Sequence, residues 1–242
     1  MENKFNNKTM VNTYINVVTG RVLLAEANVD NKGLVSLYIK IAGAEIDIAE
    51  NSEKAIDMAL LNNYDLILMD VNIPETGAME MISSLNSKKV KIPVVMLSAK
   101  EFLDAAEKNI SIECSDFLTK PIKLKRFYEV LREYLKLSPN SIIPLKSSLL
   151  DNEPELYDLI KKYIHKYPDM IRKLKMAFKE LELNTFELLL HDLKSTGGNY
   201  GFMLITDLAV IIKTNLSNNN LKAISPLLDE LEVLHNRMLL AL

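Results

Sequence analysis

A chain of 242 residues with 48% hydrophobic residues is long enough for one large domain or two of ordinary size, and too apolar for wholesale disorder. A formal net charge of -3 excludes nucleic-acid binding driven by bulk charge, and a single cysteine, Cys114, excludes an intramolecular disulfide and a cysteine metal cluster. No apolar stretch approaches the ~18 consecutive residues of a membrane span, so a cytoplasmic protein with no membrane insertion is expected.

Residues 1–20 begin Asn- and Lys-rich, without the apolar run of a signal peptide, and are expected to form a flexible leader. Residues 22–25 are a first candidate strand. Residues 32–41 place Leu34, Val35, Leu37, Tyr38 and Ile41 at helical spacing. Residues 45–49 alternate like a strand, and 52–61 are helical with Ser52 near the start. Residues 66–69 are apolar throughout, as in a strand buried on both faces. A helix is expected over 79–85, a buried strand over 93–97, a short helix over 102–108 and a short strand at 117–118. Residues 123–137 form an amphipathic helix with Leu124, Phe127, Val130, Leu131 and Leu135 on one side. Five rounds of strand then helix imply a parallel sheet with helices on both faces. Sites in such sheets form beyond the carboxyl ends of the strands. That rule gathers Glu26, Asp70, Ser98 and Lys120.

Ser138-Pro139-Asn140-Ser141 and Pro144 interrupt the pattern, which sets an α/β domain over 21–137 and a linker over 138–149. From residue 150 to 242 strand signals vanish. Helical patterns run over 154–166, 168–183, 185–196, 203–216 and 221–240, with Asn184-Thr185-Phe186-Glu187 as a capping box. An all-helical bundle with short connections is expected. Met81, Met96, Met203 and the other methionines read as core filler.

Transfer of a phosphoryl group to a carboxylate needs a nucleophile, a cation for the phosphoryl oxygens and donors that orient them. Asp70 supplies the nucleophile, Lys120 a point charge and Ser98 a hydroxyl. Glu26 offers oxygen to a hard divalent cation such as Mg2+. The segments Leu68-Met69-Asp70-Val71-Asn72-Ile73-Pro74, Val95-Met96-Leu97-Ser98-Ala99 and Phe117-Leu118-Thr119-Lys120-Pro121 resemble the receiver domain of two-component response regulators. The resemblance implies a flavodoxin-like α/β fold of five parallel strands. It makes Asp70 the phosphoacceptor, Ser98 and Lys120 sensors of the phosphoryl group, and Phe117 an aromatic switch. Glu26, Asp70 and the backbone carbonyl of Asn72 would hold Mg2+. The sequence departs from the family at Glu26-Ala27-Asn28, where Ala27 stands in place of an acid that contacts the metal. Metal binding should weaken, with Asn28 and the longer Glu26 as partial compensation. Gly77-Ala78 is a smaller departure.

Helical spacing puts Lys194, Ser195 and Gly198 on one face with His191. A neutral imidazole is a competent nucleophile, a lysine draws a phosphoryl group toward it, and small residues let a partner approach. The stretch from His191 through Gly201, with Tyr167-Pro168-Asp169 upstream, resembles the histidine phosphotransfer (HPt) domain, with His191 phosphorylated and Lys194 assisting. A receiver followed by HPt is the tail order of hybrid sensor histidine kinases. The combined resemblance implies a phosphorelay intermediate rather than a turnover enzyme, because no ATP-binding glycine motif is present. Its partners would be a sensor kinase upstream and the receiver of a response regulator downstream. The rival expectation is a non-catalytic interaction module whose receiver is silenced at Ala27. His165 and His235 lack such neighbours and read as surface or packing residues.

Overall fold

The computed structural model describes residues 18–99, 114–138 and 144–242; the expected helix over 102–108 lies outside the described residues. The chain divides into two compact units, one within residues 12–141 and one within 142–242.

In the first unit, β1 (Val18–Thr19) is followed by β2 (Arg21–Ala25), α1 (Val29–Ala42), β3 (Glu45–Ala49), α2 (Ser52–Leu61) and β4 (Leu66–Asp70). Then come α3 (Gly77–Ser87), β5 (Val94–Ala99), β6 (Asp116–Lys120), α4 (Leu124–Tyr134) and β7 (Lys136–Leu137). The expected parallel sheet forms with strand order β3-β2-β4-β5-β6, a flavodoxin-like arrangement. The apolar runs of β2, β4 and β5 occupy its centre, where both faces are covered. On one face Leu23, Ile67, Met69 and Met96 pack against Ala55, Ala59, Met81, Ile82 and Leu85 of α2 and α3. Tyr38 of α1 lies 5.7 Å from Phe127 and 6.5 Å from Tyr128 of α4, ring centre to ring centre.

Both ends of α1 are closed by its own sequence. Asn28 accepts the Asn31 amide at 3.0 Å, and Gly43, at φ 93°, returns its N–H to Ile39 and Lys40. Two expectations shift at the edges of this unit. The leader ends in a strand, because Val18–Thr19 pairs antiparallel with β7 and buries Val18. The last helix correspondingly stops at Tyr134 instead of running to 137.

The second unit holds α5 (Tyr157–Lys179), α6 (Leu183–Asn199), α7 (Met203–Ser217) and α8 (Leu221–Leu239). Each helix packs on two neighbours, which closes a four-helix bundle. Its centre is filled by Tyr167, Leu174, Phe186, Leu193, Phe202, Ile205, Leu208, Leu227 and Leu231. Residues 144–151 lie on this bundle, where Leu145 N–H donates to Arg237 at 2.9 Å and Ser147 Oγ to Tyr200 at 2.7 Å.

Three expectations for the bundle are corrected. The two helices expected around Pro168 are one helix with the proline inside it. Pro168 cannot donate to the carbonyl four residues back, that of Ile164. His235 Nε2 lies 3.2 Å from that oxygen and takes the missing donor's place. The capping box at Asn184 does not form: Leu181, at φ 59°, turns the chain, the Glu182 amide closes on Ala177, and α6 begins at Leu183. Met203, expected in the core, is 56% exposed. Among the described residues no helix is long and apolar enough to cross a membrane.

Candidate functional site

Asp70 ends β4, and the Asp70–Leu97 register aligns it with β5 at the carboxyl end of the sheet. Lys120 ends β6, before a cis peptide to Pro121. Its ammonium lies 2.8 Å from Asp70 Oδ2 and 3.0 Å from Glu26 Oε2. Glu26 is 1% exposed and Asp70 7% exposed, so two nearly buried carboxylates share one cation. The Asn28 amide donates to Glu26 Oε1 at 2.9 Å and the Asn72 amide to Asp70 Oδ1 at 3.2 Å. Three of the residues gathered from the sequence, Glu26, Asp70 and Lys120, therefore meet.

Ser98 is buried at the same end, but its hydroxyl donates to the neighbouring Ala99 carbonyl at 3.3 Å. Phe117 is half-buried against the core face covered by α2 and α3. Sequence reading gave Ser52 only a place near a helix start. The cap is in fact Asn51, which accepts the Lys54 amide at 2.8 Å. Ser52 is fully buried, donates to the Pro74 carbonyl at 3.0 Å and accepts the Thr76 amide at 3.0 Å. It thereby fastens the loop that leaves Asp70.

In the bundle, His191 is exposed on α6. Beside it stand Leu188, 70% exposed, and the exposed Lys194 and Ser195, while Leu190 and Leu193 turn inward. A histidine satisfied in the core is therefore excluded for this position. Ser195 donates its hydroxyl to the His191 carbonyl at 3.0 Å. The glycine that packing requires is Gly197: a Cβ there would meet Ile205 Cγ2 of α7 at 2.9 Å. At Gly198 a Cβ would meet only Thr206 Oγ1 at 3.4 Å and Met203 Sδ at 4.0 Å.

The family model described as response regulator receiver domain matches residues 22–132. This segment is a receiver domain. Hybrid signal transduction histidine kinase F of Dictyostelium discoideum is 33% identical over 126 residues, which is 50% of this chain and 11% of that protein. The cell cycle transcriptional regulator CtrA of Caulobacter vibrioides is 28% identical over 116 residues, 46% of this chain and 50% of that protein. The chain thus spans at most about half the length of these relatives. Among solved structures, the receiver domain of a sensor histidine kinase from Pseudomonas aeruginosa PAO1, with a magnesium ion in its active-site cleft, is 22% identical with a TM-score of 0.45. That alignment covers 48% of this chain and 97% of the other.

Receiver domains bind Mg2+ at their active site, and the donors that follow β2 here, at positions 26–28, do not fit that ion. Mg2+ demands a near-octahedral shell of oxygens. Ala27 contributes no side-chain oxygen. Both Glu26 oxygens hold protein donors, and the Asn28 side chain, expected to compensate, is committed to capping α1. Among the described residues no group of three or more His, Cys, Asp and Glu side chains could hold a metal.

Proposed function

We propose that the chain is a phosphorelay protein in which Asp70 and His191 carry a phosphoryl group in turn. The observation that carries this reading is the Lys120 ammonium 2.8 Å from the Asp70 carboxylate, inside a receiver domain and at the carboxyl end of its sheet. Asp70 accepts the group from a phosphorylated histidine of a sensor kinase: an O–P bond forms, the P–N bond breaks, and the imidazole nitrogen keeps the electron pair and takes up a proton. Lys120 pairs with a phosphoryl oxygen, and the Ser98 hydroxyl turns from Ala99 to donate to another. Phe117 follows Ser98 inward as the switch.

Residues 150–242 act as an HPt domain. The His191 imidazole attacks the phosphorus of an aspartyl phosphate, the carboxylate leaves, and Lys194 draws the transferred oxygens toward the ring. Exposure of His191, Leu188 and Ser195 on one helix suits docking of a receiver, and a downstream response regulator is the final acceptor. The work is that of a cytoplasmic phosphotransfer intermediate. Commitment of both Glu26 oxygens and of Asn28 favours a second reading, in which Asp70 is silent and the receiver only docks a kinase.

Labelling the full chain with radioactive phosphoramidate separates the two readings. A phosphoaspartate is base-labile and a phosphohistidine is base-stable. Wild type should carry both labels, Asp70→Asn should lose the base-labile one and His191→Gln the base-stable one. If neither substitution changes the labelling, the relay reading is wrong. If base-labile label is missing from wild type while His191→Gln abolishes the rest, the silent-receiver reading replaces it.

A further inference from the structure

We infer that Lys120 is the resident counter-ion of the crevice and that Asp70 reacts without a bound divalent cation; this rests on the reading of Asp70 as a phosphoacceptor. Glu26, Asp70 and Lys120 together leave one net negative charge at the carboxyl end of the sheet. A third carboxylate at position 27 would leave two, the charge a dication balances. Among the described residues Lys32, also at this end, is paired with Glu50 at 2.6 Å and adds nothing. Losing one of two net charges halves the Coulombic attraction for Mg2+, while the cost of stripping its waters is unchanged.

The donor inventory points the same way. Each Glu26 oxygen already accepts one donor, the Asn28 amide at 2.9 Å or the Lys120 ammonium at 3.0 Å, so a cation there must share an oxygen with a donor already bound. Glu26 is 1% exposed, so its oxygens have little opening toward solvent through which a hydrated ion could bridge. The ammonium is already in contact with the nucleophile and needs no dehydration at the moment of reaction.

Transfer balances without a metal. Asp70 Oδ2 bonds to the phosphorus of a phosphoimidazole as the P–N bond breaks. The electron pair stays on the imidazole nitrogen, which takes a proton from solvent. The phosphoryl group keeps its own negative charge, the carboxylate's charge is cancelled by the proton taken up at the imidazole, and Lys120 pairs with a phosphoryl oxygen while Glu26 holds the ammonium's other side.

Two measurements on the full chain test this. In the first, Mg2+ is titrated while melting of the receiver is followed. Wild type should show no saturable rise in Tm. Ala27→Asp, which restores the third carboxylate, should show one, and so should Lys120→Met, which raises the crevice to two net negative charges by another route. A saturable rise in wild type that Asp70→Asn removes overturns the proposal, as does the absence of any gain in both variants. In the second, base-labile labelling by phosphoramidate is compared in EDTA and in Mg2+. Wild type should change less than about twofold and Ala27→Asp more than about tenfold, a difference of roughly 1.4 kcal/mol in Ala27→Asp. Label that EDTA abolishes in wild type overturns the proposal. A wild type with no base-labile label in either condition removes the acceptor reading of Asp70, and the Mg2+ titration then still decides whether Lys120 is the counter-ion.

Discussion

Gly197 and Gly198 are adjacent in α6 and face opposite energetic situations. A methyl group normally helps a helix, by about 0.5–1 kcal/mol relative to glycine. At Gly197 that gain meets Ile205 Cγ2 at 2.9 Å, Ile205 Cβ at 3.0 Å and Thr206 Oγ1 at 3.1 Å. None of these is the loose end of a long side chain, and overpacking of this kind costs about 1–3 kcal/mol. The clash wins. Gly197→Ala should lower the stability of the bundle by a kcal/mol or more, while Gly198→Ala should leave it unchanged or raise it slightly. Urea denaturation of both variants checks this, and equal losses would show that α6 and α7 are not in the close contact described. Sequence spacing singled out Gly198 and passed over Gly197, because spacing reports which residues share a face and not which face meets a neighbouring helix.

Helix α5 runs unbroken through Pro168 because another helix repairs the damage. A proline in a helix interior frees the carbonyl four residues back and costs about 3 kcal/mol or more. Here the freed oxygen is that of Ile164, and His235 of α8 stands 3.2 Å from it while its ring stacks on Tyr167. His235→Phe keeps the ring and removes the donor, and should cost about 1–3 kcal/mol because a carbonyl is left unsatisfied. In a Pro168→Ala background the alanine N–H satisfies Ile164, so the same substitution should cost clearly less. Additive losses in this double-mutant cycle would sink the explanation. Burial holds the His235 imidazole below its ordinary value of 6.5, partly opposed by the Ile164 bond and Glu232. The unfolded chain therefore binds this proton more readily than the folded one, and stability falls as pH drops below 6.5 toward the folded value. His235→Phe should flatten that part of the Tm–pH profile. None of this was legible along the chain, where Pro168 marks a helix boundary. Its partner lies 71 residues beyond Ile164 and belongs to a different helix. The central strands were legible for the opposite reason. A strand covered on both faces must be apolar throughout, and β4 announces itself in four residues followed by Asp70.

The crevice shows the same division across the whole molecule. Asp70, Glu26 and Lys120 could be gathered from sequence because each ends or follows a strand of one parallel sheet. The commitment of Asn28 to its own helix and the fastening of Thr76 by Ser52, 24 residues away, depend on packing that no local pattern reports. At the largest scale the chain has two cores, one around the sheet and one inside the four helices, filled by different residues. Stability should therefore be divided between them, and damage to one should stay local. Leu193→Ala empties a position with no exposure at the centre of the bundle, and a truncation of this kind costs about 2–5 kcal/mol. Leu68→Ala does the same to the middle of β4. Hydrogen exchange followed by mass spectrometry should find faster exchange in α5, α6, α7 and α8 for Leu193→Ala, with β2, β4 and β5 as protected as in wild type, and the reverse for Leu68→Ala. If either substitution accelerates exchange in both sets of elements, the two cores form one cooperative unit. A phosphoryl group at Asp70 could then alter the His191 helix through the folded structure itself. Local damage means instead that, in the proposed relay, Asp70 and His191 are coupled only through transfer of the group itself.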